Sequence, residues 1–450
     1  MKLFLEKIVL LFVVVLLVTA CSKDEQEISK SLGAGDYIGT IGEPYSLSSS
    51  ELSDCVYNTL QDSYLSLSQY EQDFKMLMAL MLNGGVKVTR LEYYTTDADG
   101  SLVKASGIIA WTDSVEKSGT YDRIVSVSHS TCDIDKAPTK TIFPVDGLVL
   151  FNTLHKNVIV MADYLGYGSS QKPDLSHPYL HAKLTGTASA DMFEAAERYL
   201  SEKTNLRPEQ SACPIQLCGY SQGGHGAIAT LYEMQRRGYT NRICRVDAGA
   251  GAFDLMTMWN VFGSLQYVSY NRMGFVPYII RGLSYGRQNE LDLHNIYTDK
   301  IFRVDSTGYS LYDLFETTML DTWHQKLGTD ITQVLNPDIF KQDITQANKD
   351  VQALYQMFAA NSLVTYDTPD NPSIITLYHT ENDDQVPYEC SLSAKTYWPG
   401  ATLVNLTLAP GNHMLCAFEY FVRLLDDNQG NLWTSLSSYI SPILEGVLGD

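Results

Sequence analysis

Apolar and polar residues fall into blocks along this chain, and the period of each block predicts an element. The first block is one unbroken apolar run, Ile8–Val18, behind Lys2 and Lys7. It is too short and wrongly flanked for a stable membrane span and reads as a secretory signal over residues 1–20. Residues 21–50 show no period and are rich in Ser, Gly and acidic side chains, so they are expected to form a tether. An N-terminal helical segment is expected over 51–85. Ser48 and Glu51 fit a capping box for its first helix, and "YEQDFKMLMALMLNGG" predicts a second ending at Gly84, its methionines serving as core filler. The runs "VKVTRLEYYT" and "SLVKASGIIAW" alternate with period 2 around "DADG", which predicts a hairpin.

Beyond the hairpin, strand and helix patterns take turns. Arg123–His129, Asn157–Tyr164, "PIQLCGY", Ile374–Thr380 and Ala401–Leu408 read as strands. "SADMFEAAERYLSE" reads as an amphipathic helix; Ala227, Ile228, Leu231 and Met234 predict another that stops at Gly238. Such alternation implies an α/β fold with a mainly parallel sheet covered on both faces. Residues 251–370 break the pattern: they are rich in Tyr, Met, Trp and Phe at helical spacing, with no clear strand. That is too long for a loop, so a helical cap is expected between core segments 86–250 and 371–450.

Charge and cysteines narrow the partners. With 52 acidic against 32 basic residues the net charge is −20, which argues against nucleic acid. No Cys-x-x-Cys or His-x-x-x-His spacing suggests a metal, and neither metal nor cofactor is expected. Val18-Thr19-Ala20-Cys21 resembles a bacterial lipobox, in which cleavage leaves Cys21 as the lipidated first residue. Ser22-Lys23-Asp24-Glu25 resembles the acidic signal that sends Bacteroidetes lipoproteins to the outer cell surface. The expectation is an outer-membrane lipoprotein, exposed at the cell surface and anchored through acyl chains on Cys21 rather than by a spanning helix. Of eight cysteines, lipidation leaves an odd number, and no pairing follows from sequence.

The candidate chemistry centres on "CGYSQGGHG". Gly219-x-Ser221-x-Gly223 lies between a strand and a helix, where a sharp turn lifts the Ser221 hydroxyl above the sheet. The bland alternative is a tight turn of any α/β protein. It weakens once an acid and a base appear after later strands. "LYHTENDDQVPYECS" places Asp383 past one strand, with Asp384 as its competitor, and "LAPGNHMLCAFEYF" places His413 past the next, where it would otherwise be a helix-cap histidine. The order Ser, Asp, His suits a rim formed by the C-terminal ends of parallel strands. His413 would take the proton of Ser221, and Asp383 would hold the imidazole tautomer.

On "DADGSLVKASG", "SVSHSTCDIDKAPT", "MADYLGYGSS", "CGYSQGG", "DDQVP" and "GNHM", spread over roughly residues 86–425, the chain resembles an α/β-hydrolase. More narrowly, it resembles the secretory lipase family of esterases. The resemblance implies an eight-stranded type of core, a cap after the sixth strand, and carboxylic ester hydrolysis through an acyl-enzyme. It also implies oxyanion donors from the backbone of Gln222 and from His129-Ser130-Thr131, where relatives often carry His-Gly-Thr. The N–H of Ser130 is the expected second donor and that of Thr131 the alternative. Asp163 in "DYLG" maps to a structural turn. His225 reads as a residue behind the site or on the surface, and Gln216 is an unexplained polar residue in a central strand.

An esterase or lipase acting on a small-molecule or glycan-linked ester fits best. A serine peptidase on the same fold would use the same three residues, but peptidases of the prolyl-oligopeptidase type carry an N-terminal propeller that the first hundred residues cannot hold. An inactive surface-binding lipoprotein would not need all three.

Overall fold

The computed structural model describes residues 32–63, 84–151, 155–174, 176–265, 269–287, 290–306, 308–317 and 320–425. The chain divides into two units, Met1–Gly33 and Ala34–Asp450; the sheet, the cap and the site all belong to the second. The signal, Cys21 and the second expected helix lie outside the described residues.

A ten-stranded sheet forms the frame, in the order β1-β3-β4-β7-β6-β9-β10-β11-β12, with β2 also paired to β3. Strands β1 (Tyr37–Thr40) and β2 (Tyr45–Leu47) lie inside the segment expected to be tether; their few residues give too little alternation to be read. The expected hairpin is present as β3 (Val86–Thr96) and β4 (Leu102–Thr112), paired antiparallel from Val86–Thr112 to Thr96–Leu102. Strands β5 (Thr120–Tyr121) and β8 (Arg207–Pro208) form a separate two-stranded ribbon. The parallel part comprises β6 (Arg123–Ser128), β7 (Asn157–Ala162), β9 (Ile215–Tyr220), β10 (Ile243–Gly249), β11 (Ile375–His379) and β12 (Thr402–Asn405). From β6 the chain moves outward to β7, then returns to place β9 on the other side of β6. The C-terminal ends of β6 and β9 therefore meet at a topological switch point, where a crevice opens in such sheets.

Helix α1 (Ser49–Ser63) opens with the expected box: Ser48 N–H donates to Glu51 Oε2 at 2.8 Å, and Glu51 N–H donates to Ser48 Oγ at 3.3 Å. Helix α2 (Ala182–Lys203) begins seven residues before the expected amphipathic stretch. Its first turns contain Thr and Gly, weak helix formers, but they are buried, and at Gly186 the absent Cβ lets α2 approach the Ala229 carbonyl of α3 (Gln222–Arg236). Gln216 donates through Nε2 to Asp247 Oδ2 at 2.8 Å and accepts from Arg123 at 3.1 Å. Asp247 is also paired with Arg245 and Tyr378. The polar residue in the strand thus satisfies a buried carboxylate from the neighbouring strand, which an apolar side chain could not do.

Between Gly251 and Asp370 the described residues form helices and 3-10 turns, with one isolated bridge, Tyr297–Leu335. They include α4 (Leu255–Leu265), α5 (Phe275–Leu283) and α6 (Lys349–Ala360). Met258, Met273 and Met357 are buried in a core of this segment's own. Asp254 ties it to the sheet domain: its carboxylate caps the first turn of α4 and accepts from Ser362 Oγ at 3.0 Å and Ser393 Oγ at 2.7 Å. Two more helices, α7 (Glu389–Tyr397) and α8 (His413–Leu424), follow β11 and β12.

Candidate active site

Ser221 occupies the single residue between β9 and α3, with φ 57° and ψ −119°. Positive φ is costly for a residue with a Cβ and persists only where its surroundings enforce it. Two glycines enforce it here. A Cβ on Gly223 would strike the Ser128 carbonyl, and one on Gly219 would strike that carbonyl and the backbone of Gly223. The Ser221 N–H donates to the Gly249 carbonyl at 2.8 Å, so the elbow is fixed between the ends of β6 and β10. Gln222 follows as the first residue of α3, where a helix cannot satisfy its own backbone N–H. Its side-chain amide lies 2.7 Å from His177 Nε2, whose Nδ1 lies 2.7 Å from the Leu165 carbonyl. A carbonyl only accepts, so His177 carries its proton on Nδ1 and accepts from Gln222 at Nε2. Burial pushes His177 down to about 3 and keeps it neutral.

Asp383 follows β11 just after Asn382, which like Ser221 is a non-glycine residue at positive φ, 58°. Its Oδ1 accepts the N–H groups of Gln385 (2.9 Å) and Val386 (2.8 Å), leaving Oδ2 for His413 Nδ1 at 2.7 Å. His413 is the first residue of α8 and 1% exposed; Asn412 caps the helix by accepting from Leu415 N–H at 3.0 Å. The Tyr220 ring packs 5.0 Å from the imidazole, and its hydroxyl donates to the His413 carbonyl at 2.7 Å. Asp384, the competing acid, accepts the His413 backbone N–H at 2.9 Å. The two carboxylates divide the work: Asp383 meets the ring and Asp384 the backbone. Burial opposes ionisation of Asp383, but His413 and His379 beside it outweigh burial and hold the carboxyl well below the usual range. With Nδ1 turned to a carboxylate, Nε2 of His413 is the accepting nitrogen, and it is buried without a hydrogen-bond partner.

Ser221 and His413 both line a cavity of about 460 Å3. Ser130, the expected second oxyanion donor, is differently engaged: its N–H (3.1 Å) and Oγ (2.7 Å) both donate to Asp146 Oδ1. The burial of Asp146 raises its pKa, a tendency that the Ser130 bonds and His129 oppose. Thr131, the alternative, also lines the cavity, and its hydroxyl lies 3.0 Å from that of Tyr179. From the cap, Phe275, Tyr278 and Arg281 reach the cavity from one face of α5, at i, i+3 and i+6, beside Phe315 and Trp323. Phe143, Val145, Met414, Phe418 and Phe421 add apolar side chains from outside the cap to the lining.

Asp163 is structural, though its carboxylate reaches neighbouring segments rather than the amides of its own turn: Oδ1 accepts Thr139 N–H at 2.8 Å, and Oδ2 accepts from Ser106 Oγ at 2.5 Å and from the Thr139 hydroxyl. His225 is a core residue, not a surface one: it is fully buried, its Nε2 faces the Asn361 carbonyl at 3.4 Å, and burial pushes it down to about 4. Asp146, His177 and His379 were not legible as site residues. The first two come from connecting segments with no motif. A histidine closing the strand four residues before the candidate acid was a usable signal for the third.

No family model matches the chain, and neither does any curated protein. Solved structures do. A hydrolase candidate of Legionella pneumophila superposes with a TM-score of 0.64 at 17% identity, covering 87% of this chain and 100% of its own. The rice cell wall degrading esterase LipA of Xanthomonas oryzae, in a ligand-bound form, gives 0.58 at 20% identity, covering 93% and 99%. Lipase A of Candida antarctica in its closed state gives 0.51 at 13%, covering 93% and 84%. The chain has the α/β-hydrolase fold.

Proposed function

We propose that the protein is a serine hydrolase that cleaves carboxylic esters through an acyl-enzyme. The observation that carries this reading is the 2.7 Å bond between Asp383 Oδ2 and His413 Nδ1, which leaves an unpartnered Nε2 at the cavity that Ser221 also lines. In this reading Ser221 Oγ attacks the ester carbonyl and His413 Nε2 takes its proton, then passes it to the leaving alcohol. Asp383 keeps the proton of the neutral ring on Nδ1 and stabilises the imidazolium. Water, activated in the same way, releases the acid and restores Ser221.

The N–H of Gln222 is the first oxyanion donor, since it follows the nucleophile at a helix N-terminus. For the second we favour Thr131 over Ser130. The Ser130 N–H is engaged by Asp146, and a carboxylate beside a developing oxyanion would oppose it. The fold also hosts the esterase and lipase named above, which is compatible with this chemistry. Labelling of Ser221 by a fluorophosphonate, with Ser221→Ala as the control, tests the proposal. We further propose that Cys21 carries the lipid that anchors the protein at the outer cell surface, on the strength of the lipobox-like Val18–Cys21.

A further inference from the structure

A second histidine stands behind the Asp383–His413 pair. His379 closes β11, and its side chain is fully buried. Its Nδ1 lies 2.7 Å from Ser391 Oγ in α7. Its Nε2 lies 3.1 Å from the Val386 carbonyl and 3.4 Å from Asp383 Oδ2. The acceptors settle the tautomer. A carbonyl and a carboxylate both face Nε2, so the proton sits there, and Nδ1 accepts from the Ser391 hydroxyl. With the opposite tautomer, a nitrogen lone pair would face two oxygens in a buried site, at the cost of an unsatisfied polar group.

This places His379 on the turn that presents the acid. Val386 is the residue whose N–H binds Asp383 Oδ1 at 2.8 Å. Its carbonyl is held by His379, so the peptide planes on both sides of Val386 are fixed. The N–H edge of His379 also faces the oxygen that meets His413. Oδ1 is thus oriented by two amides, and Oδ2 by two imidazoles. The Tyr388 ring packs against His379 at 5.5 Å, edge on.

We propose that His379 is a positioning residue for the Asp383–His413 pair, with Ser391 fixing its tautomer. The claim concerns how the acid is held; only its kinetic arm rests on the ester-hydrolase reading. His379 touches no reacting atom. Its contribution is to keep Asp383 Oδ2 aimed at Nδ1, and a displacement of about 1 Å in such a pair costs up to about 100-fold in rate.

Three variants test it. His379→Leu removes the donor, His379→Gln restores an N–H near the place of Nε2, and Ser391→Ala removes only the hydroxyl at Nδ1. Two readouts are used: kcat and KM on a p-nitrophenyl ester, and the downfield proton resonance of the His413 Nδ1–H. By the same misplacement logic, His379→Leu should lower kcat about 10-fold or more with KM within about two-fold, and should shift or broaden that resonance. His379→Gln should recover most of kcat and the resonance, and Ser391→Ala should fall between. Equal losses in the Leu and Gln variants would overturn the proposal, because packing alone would then explain them. So would an unchanged resonance together with an unchanged kcat in Ser391→Ala and His379→Leu. If the resonance responds as described in a protein whose Ser221 takes no fluorophosphonate, the positioning claim stands and the ester-hydrolase reading falls.

Discussion

The backbone N–H of His413 donates to Asp384 Oδ1 at 2.9 Å, while its imidazole donates to Asp383 Oδ2 at 2.7 Å. Adjacent acids in one loop therefore hold the same histidine by different handles. This separates their expected mutant phenotypes. Asp383→Asn removes the tautomer lock and should lower kcat by about 10^3 to 10^4. Asp384→Asn keeps an oxygen acceptor of the same size and should cost about 10-fold or less. Steady-state kinetics on a p-nitrophenyl ester check both. A severe Asp384→Asn and a mild Asp383→Asn would reverse the assignment.

The order of Ser221, Asp383 and His413 was legible because each follows a short apolar run that becomes a parallel strand. Asp384 was harder. By sequence it is an exposed neighbour of the acid, and it is indeed exposed, yet it anchors the backbone of the candidate base. Strand β10 was missed because "ICRVDAG" carries Arg245 and Asp247, which break the apolar run. Those charges neutralise each other, and Asp247 also accepts from Gln216 across the sheet, a compensation visible only once the strands are paired. The start of α2 was missed because tertiary burial overrides the weak propensity of Thr and Gly. The engagement of the Ser130 N–H was not legible, because its partner, Asp146, lies sixteen residues on in a segment without a motif.

Acid should weaken the fold partly through Asp383. Its folded-state pKa is depressed below the ordinary 3.8. A depressed carboxyl contributes stability that is fully present above its unfolded pKa and is lost as pH falls below it toward the folded value. The thermal midpoint of the wild type should therefore drop more steeply than that of Asp383→Asn below about pH 4. Parallel slopes for the two proteins over that range would contradict the linkage.

The cap gives the cavity an aromatic lining, so specificity should follow apolar contact. Each added acyl methylene should raise kcat/KM about two- to four-fold, equivalent to about 0.4–0.8 kcal/mol, until the cavity is full. A p-nitrophenyl ester series from acetyl upward measures this. A flat or falling series would indicate a small deacetylating site. Faster cleavage of a peptide amide than of the matched ester would favour a peptidase.

Cys21→Ser should move the protein from the membrane to the soluble fraction, because covalent lipid is the proposed anchor. Fractionation reads this out. Protease treatment of whole cells tests surface exposure separately: wild-type protein that stays protected in intact cells would leave the anchor standing and remove the surface location.

The most direct test of the whole account is the covalent labelling of Ser221. A fluorophosphonate needs an activated serine in a folded site, and nothing about the natural ester. Intact-mass measurement should show one adduct per molecule, and peptide mapping should place it on Ser221. Ser221→Ala should take no label and hydrolyse no p-nitrophenyl ester while retaining the wild-type thermal midpoint. A folded wild-type protein that takes no label, or takes it on another serine, would contradict the account.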